Sequence, residues 1–368
     1  MRVPPLLREL LDRLPGRRQF PPKRALVLAG GGVIGGMFEV GVLAALEEAV
    51  PGFRANEFDL YVGSSAGSVV AALMAGGVPP LELYQILDEG RDDPLNFQRG
   101  AVYQRGASAA AAWRLAQLVW AVGKNLVTSF HLDWPDILAK SQGSMPAGFY
   151  SVAQLEEHLR HSFKARGLAN DFASCPRTLM IPAVDLDRGE RVVFGVGGLK
   201  EVTISEAIAA SSAIPGFFEP FGIGGRDYVD GDVGHTGHAD LAVDAGAQFI
   251  VLVNPLVPRR PGEEGPPPLR QHGLYGILDQ VGRINSRNLL ELGLRELQRR
   301  RPGVIWHVLQ PPAEASPLFG PSMGFEASRA ALRFGRDCAV EWLADRGTEI
   351  KRDCAPRPRN LLDAVRHA

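Results

Sequence analysis

Ser65, at the centre of Gly63-Ser64-Ser65-Ala66-Gly67, is the residue of this 368-residue chain best placed for nucleophilic chemistry. The spacing Gly-x-Ser-x-Gly is that of a nucleophile elbow, a sharp turn from strand to helix that holds a serine in strained geometry. Only small neighbours leave room for the turn, and Gly63, Ala66 and Gly67 are small. At the head of a helix the serine also meets free amides and the positive end of the helix dipole, both of which favour developing negative charge. A plain helix N-cap accounts for the same five residues. Context favours the elbow: an apolar, strand-like stretch (59–62) precedes it and an apolar, helix-like stretch (68–75) follows.

A second small-residue turn lies upstream, Gly30-Gly31-Gly32-Val33-Ile34-Gly35-Gly36, again after an apolar run (25–29, ALVLA) and before a helical pattern reaching about residue 50. Three readings compete. Gly30, Gly32 and Gly35 match the dinucleotide fingerprint, which aims a helix N-terminus at a pyrophosphate. The same amides offered to a tetrahedral intermediate form an oxyanion hole. A tight turn that needs glycine for packing is the third. A dinucleotide site needs an acidic residue at the end of the next strand, and that place holds Gly63-Ser64-Ser65; Asp59 stands at the wrong end. The oxyanion hole therefore outranks the nucleotide cradle.

A serine nucleophile needs a base. The chain has eight histidines, of which His235 and His238 closely follow Asp230 in Tyr228-Val229-Asp230-Gly231-Asp232. That chain order suits a Ser–Asp–His hydrolase, but a histidine so near its own orienting carboxylate needs an unusual loop, and loop or helix-cap roles are the simpler expectation for both.

Taken in order, the glycine turn, the Gly-x-Ser-x-Gly elbow, Ala210-Ser211-Ser212-Ala213-Ile214-Pro215-Gly216-Phe217-Phe218 and Asp230-Gly231 resemble the patatin-like phospholipase family across residues 25–256. The resemblance implies a three-layer α/β/α fold around a mostly parallel sheet. It implies a lipid acyl hydrolase of the phospholipase A or lysophospholipase kind, with a Ser–Asp dyad in place of a triad. Ser65 attacks, Asp230 is the base, and Gly30, Gly31 and Gly32 with Ala66 form the oxyanion hole; Gly35, Gly63, Gly67 and Gly231 complete the motifs. Neither cofactor nor metal is implied. Two places depart from the family pattern. Ile34 stands where the family carries Arg or Lys, which shifts the expectation toward neutral esters. Asp232 stands where the family carries Gly or Ala, and it either raises the pKa of Asp230, unless Arg226 neutralises it, or is simply a solvated turn residue, the plainer reading. A neutral-lipid esterase, a general carboxylesterase and a non-catalytic lipid-binding relative remain the alternatives.

Further strands are expected at 178–186, 191–195, 227–229, 249–254 and 304–309, with helices at 205–210, 240–245 and 274–300 between them. This alternation points to α/β architecture. The expected organisation is an N-terminal extension (1–24), a catalytic domain (25–256) with a helical insertion at about 84–172, and a Pro-rich loop with a mostly helical section and one strand (257–368) packed on the same domain. Balanced charge, 40 Lys and Arg against 41 Asp and Glu, excludes a strong polyanion field and so disfavours nucleic acid. Three scattered cysteines suggest neither a zinc site nor a disulfide framework. With no signal-peptide pattern and no apolar run of spanning length, a cytoplasmic protein is expected, one that meets lipid only at a membrane surface. The apolar stretch 108–125, with Trp113 and Trp120, reads as a lid or interfacial helix or, more simply, as a core helix. The basic run 283–301 reads as a solvated face. The oligomeric state is not legible.

Overall fold

The computed structural model describes residues 22–96, 120, 147–199, 201–260, 269–313, 318–319 and 327–354. Its apolar runs become the middle of one sheet with the order β5-β6-β3-β2-β1-β7-β8, where β4 also pairs with β3. The strands are β1 (Arg24–Leu28), β2 (Leu60–Gly63), β3 (Thr178–Asp185), β4 (Glu190–Phe194), β5 (Phe221–Ile223), β6 (Arg226–Val229), β7 (Phe249–Val253) and β8 (Ile305–Leu309). From β3 through β2, β1 and β7 to β8 every pairing is parallel, whereas β4, β6 and β5 join antiparallel at the β3 side. Residues 25–28 of β1 and all of β7 are buried, as parallel strands covered on both faces must be.

Helices cover both faces. One core joins Leu26, Leu28, Tyr61, Ile181 and Val251 to the helices α1 (Gly32–Ala49), α2 (Ala66–Ala75), α3 (Pro80–Glu89), α4 (Ala153–Ala165), α5 (Ile204–Ser211) and α8 (Ser328–Cys354). The opposite core joins Val27, Val62, Ile250 and Leu252 to α6 (Ala239–Asp244) and α7 (Gly273–Arg300). This is the expected three-layer α/β/α arrangement. The C-terminal α8 lies against α1 at close range: a Cβ on Gly41 would stand 2.0 Å from the Leu332 carbonyl, and one on Gly335 would stand 2.2 Å from that of Phe38.

Two details differ from expectation. α1 begins at Gly32, within the glycine turn and not after it, because the turn itself closes into the first helical turn. The edge strand β5 is three residues long, too short to show a period. The N-terminal extension up to residue 21, whose stretch 6–14 has the pattern of a short amphipathic helix, and most of the 84–172 insertion, including 108–125 apart from Trp120, lie outside the described residues, as does 261–268 of the Pro-rich loop. Among the described residues no helix is long and apolar enough to cross a membrane.

Strand β1 fixes where a site can open. The chain leaves it toward β2 on one side, while β7 lies on the other, so the loops after β1 and β7 diverge and open a crevice at the carboxyl ends of the strands. In register Leu28 faces both Gly63 and Val253, so the glycine turn and the elbow leave the sheet at one level.

Candidate active site

Ser65 sits between β2 and α2 with φ +50° and ψ −130°, a region L-residues other than glycine rarely enter. Its side chain makes no capping hydrogen bond, so the plain N-cap reading does not hold. Close packing explains the small flanks. A Cβ on Gly63 would lie 2.4 Å from the Gly67 carbonyl, and one on Gly67 would lie 2.6 Å from that of Leu28. The elbow is wedged onto β1 and has no room for larger residues. Ser65 is 3% exposed, yet it lines two cavities at once.

The last residue of α5 and the segment after it bracket this serine and fix the acid beside it. The Ser65 amide donates to Ser211 Oγ at 2.9 Å, and that hydroxyl donates to the Pro182 carbonyl at 2.7 Å. The Asp230 amide donates to the Ala213 carbonyl and the Gly231 amide to that of Ser211. Asp230, which follows β6, thus hangs from the same bracket as the serine, beside the Ser65 hydroxyl, which favours its charged form. Gly231 lies flat on β3, where a Cβ would stand 2.3 Å from the Pro182 carbonyl. Ser211 was legible only as part of a motif; its partners lie far away in sequence.

Asp230 is 6% exposed, and its Oδ2 has no hydrogen-bond partner among the described residues. Its Oδ1 accepts the Asp232 amide at 2.9 Å. Burial first, and the Asp232 charge second, push its pKa up to about 8, against the opposing pull of the Asp232 amide and the Ser65 hydroxyl. Asp232 is no solvated turn residue. Its Oδ1 accepts the Ser64 hydroxyl at 2.7 Å, its carboxyl faces the Gly30 amide, and burial lifts its pKa to about 6. Arg226 does not neutralise it, because that guanidinium stands 3.5 Å from Asp185. The two carboxyls titrate as a pair. Behind them Glu39, wholly buried in α1 with both oxygens unpartnered among the described residues, is also held toward its neutral form, by burial and then by Asp232.

The glycine turn divides its roles. Gly31 and Gly32 border the larger cavity with Ser65, Asp230 and Asp232, and Gly32 and Ala66 border the smaller one. Gly30 lies behind, its amide near Asp232, and it borders neither cavity. Gly35 packs under Pro255, the residue two positions after β7. Ile34 is buried in the core beneath α1 and presents nothing to the site.

His238 is buried at the head of α6 with both ring nitrogens engaged. Nε2 donates to the Gly231 carbonyl at 2.9 Å, and Nδ1 accepts from Arg191 at 3.4 Å. Burial, then Arg191, lower its pKa to about 3, so it is a neutral prop for the Asp230 loop. His235 stacks on it. Of the basic run, Arg295, Arg299 and Arg300 are exposed and paired with Glu291 or Glu296, as a solvated face should be. Arg283 is not. It is 3% exposed in the wall of the larger cavity, bound to Asp279, to the Leu318 carbonyl at 2.9 Å and to the Val257 carbonyl.

The larger cavity, of about 1010 Å³, is open and mixed in character, with Asp279, Asn285 and Ser286 on its wall. The smaller, about 100 Å³, is apolar apart from Ser65 and Ser212.

The chain is similar to several known proteins. The uncharacterized protein YjjU of Escherichia coli (strain K12) is 24% identical over 360 residues, covering 95% of this chain and 85% of that protein. Among solved structures, VipD from Legionella pneumophila aligns over 92% of this chain and 73% of its own, with TM-score 0.41 and 13% identity. The type III effector ExoU aligns over 94% of this chain and 56% of its own, with TM-score 0.38 and 17% identity. The patatin-like phospholipase family matches residues 26–242, the stretch from β1 into α6 that carries both Ser65 and Asp230, and the chain belongs to that family.

Proposed function

We propose that this protein hydrolyses acyl esters of lipids through a covalent intermediate on Ser65, with Asp230 as the base. One observation carries the reading: a buried Asp230 presents an unpartnered carboxylate oxygen beside a serine hydroxyl that makes no helix cap. The Asp230 carboxylate takes the Ser65 proton as Oγ bonds to the ester carbon. The amides of Gly31, Gly32 and Ala66 stabilise the resulting oxyanion, helped by the dipole of α2. The C–O bond to the alcohol then breaks, and Asp230 returns the proton to the leaving oxygen. Water, deprotonated by Asp230, attacks the acyl carbon, and Ser65 regains its proton as the acid departs. With Ile34 in the core and Arg283 already paired, the described residues offer no free cation at the scissile bond, which favours neutral esters.

A fluorophosphonate probe is expected to label the wild-type protein and not Ser65→Ala, read by mass on the intact chain. Absence of wild-type labelling overturns the reading.

The acid pair sets the pH dependence. Asp230 works as a base only when ionised, so kcat/KM is expected to rise with pH and level off above about 8. Asp232→Asn removes the neighbouring negative charge but keeps an acceptor for Ser64. The rising limb should therefore move to lower pH by roughly one unit. A limb that stays in place in the variant excludes Asp232 as the tuning group.

A further inference from the structure

The smaller cavity has a direction. α1 and α2 both begin at the site, at the carboxyl ends of β1 and β2, and run back along the sheet. The slot lies between them. On α2 its wall runs from Ser65 through Val69 to Leu73, and on α1 from Gly32 through Gly36 to Val40, so each helix lines it for about 12 Å. Val33 and Val69 are half-buried near the mouth, while Val40 and Leu73, farthest from Ser65, are 2% and 1% exposed. Leu83 and Leu87 of α3 add to the apolar wall.

We infer that this slot is an acyl ruler that takes one extended hydrocarbon chain of about ten carbons. Its length sets the number. An extended chain advances about 3.3–3.6 Å for every three bonds, so 12 Å accepts about ten. The larger cavity, open and mixed in character, is left for the alcohol portion, so the two ends of the substrate are sorted by the two spaces on either side of Ser65. The inference rests on Ser65 being the nucleophile and adds the acyl length.

The test is a series of p-nitrophenyl esters from four to sixteen carbons, dispersed in one neutral detergent. Wild-type kcat/KM is expected to climb about fourfold per methylene to an optimum of eight to ten carbons, and to be at least tenfold lower at sixteen. Gly36→Val puts methyl groups halfway down the slot. The backbone there accepts a Cβ at ordinary contact distance, 3.4 Å from Ala66 Cβ, 3.7 Å from the Ala66 carbonyl and 3.8 Å from Val70 Cγ2. Its optimum should fall to four to six carbons. Leu73→Ala should move the optimum to twelve or more, and Val40→Ala tests the same end if the first variant does not fold. An optimum at sixteen carbons in the wild type, or one that the variants leave unmoved, overturns the ruler alone. No turnover of any ester, with no probe labelling of Ser65, overturns the hydrolase reading and the ruler with it.

Discussion

Asp230→Asn is expected to cut kcat/KM by about 10³-fold, within the roughly 10²–10⁴ that a positioned base contributes, while leaving a protein at least as stable as the wild type in mild alkali. Asn keeps the shape of the side chain and can still accept the Asp232 amide, so the bracket from Ser211 and Ala213 stays intact. What disappears is the ability to take a proton from Ser65. Stability separates this from simple damage. The Asp230 pKa is raised from 3.8 to about 8 in the folded protein, so the folded state keeps a proton that the unfolded chain releases. That contribution is complete below about pH 4 and is lost as pH rises through about 8. The variant has no such group. Its melting temperature relative to wild type should therefore improve between pH 4.5 and pH 8.5. Steady-state kinetics and melts at both pH values check the prediction. An activity loss with lower melting at both pH values would mean that Asp230 only props up the loop.

The parts of this molecule that were readable from sequence are those whose cause is local. β1, β2 and β7 announce themselves because parallel strands covered on both faces must be apolar throughout. The elbow is readable because its small residues follow a five-position pattern, although the demand on Gly67 comes from Leu28 of β1, 39 positions back. Boundaries slipped where glycine serves two purposes, as at Gly32, which lies in a turn by composition and in α1 by hydrogen bonding.

Pairings across the chain were another matter. Asp232 could be read as a turn residue or as a tuning charge, because its partner Ser64 is 168 positions away and only the strand order brings them together. Ser211 carried no legible role, since its hydroxyl links two loops that the sequence does not place side by side. Arg283 belongs by composition to a solvated run, but α7 buries that end against the cavity wall and exposes the other. Ser65 and Asp230 were joined by family resemblance. Nothing in their spacing predicts the bracket that brings them together.

That bracket explains why Gly30→Ala should be the costliest small change outside the dyad. A Cβ at position 30 would stand 2.0 Å from Asp232 Oδ2 and 2.8 Å from Ser65 Cβ, both too close for any real contact. Asp232 cannot swing away without releasing Ser64, and Ser65 cannot retreat without unwinding a turn already held in a rare conformation. The added methyl therefore displaces nucleophile and acid together. A misplacement of about 1 Å costs on the order of 10²-fold in rate, and loss of oxyanion alignment adds to it, so kcat/KM should fall by about 10²–10³-fold. The pair Gly30→Ala with Asp232→Gly separates the two clashes. If the carboxylate is the main obstacle, the double variant recovers at least tenfold over Gly30→Ala alone. If Ser65 is the main obstacle, it recovers nothing. A Gly30→Ala protein of wild-type activity would show that the contact between the glycine turn and the elbow is looser than these distances require.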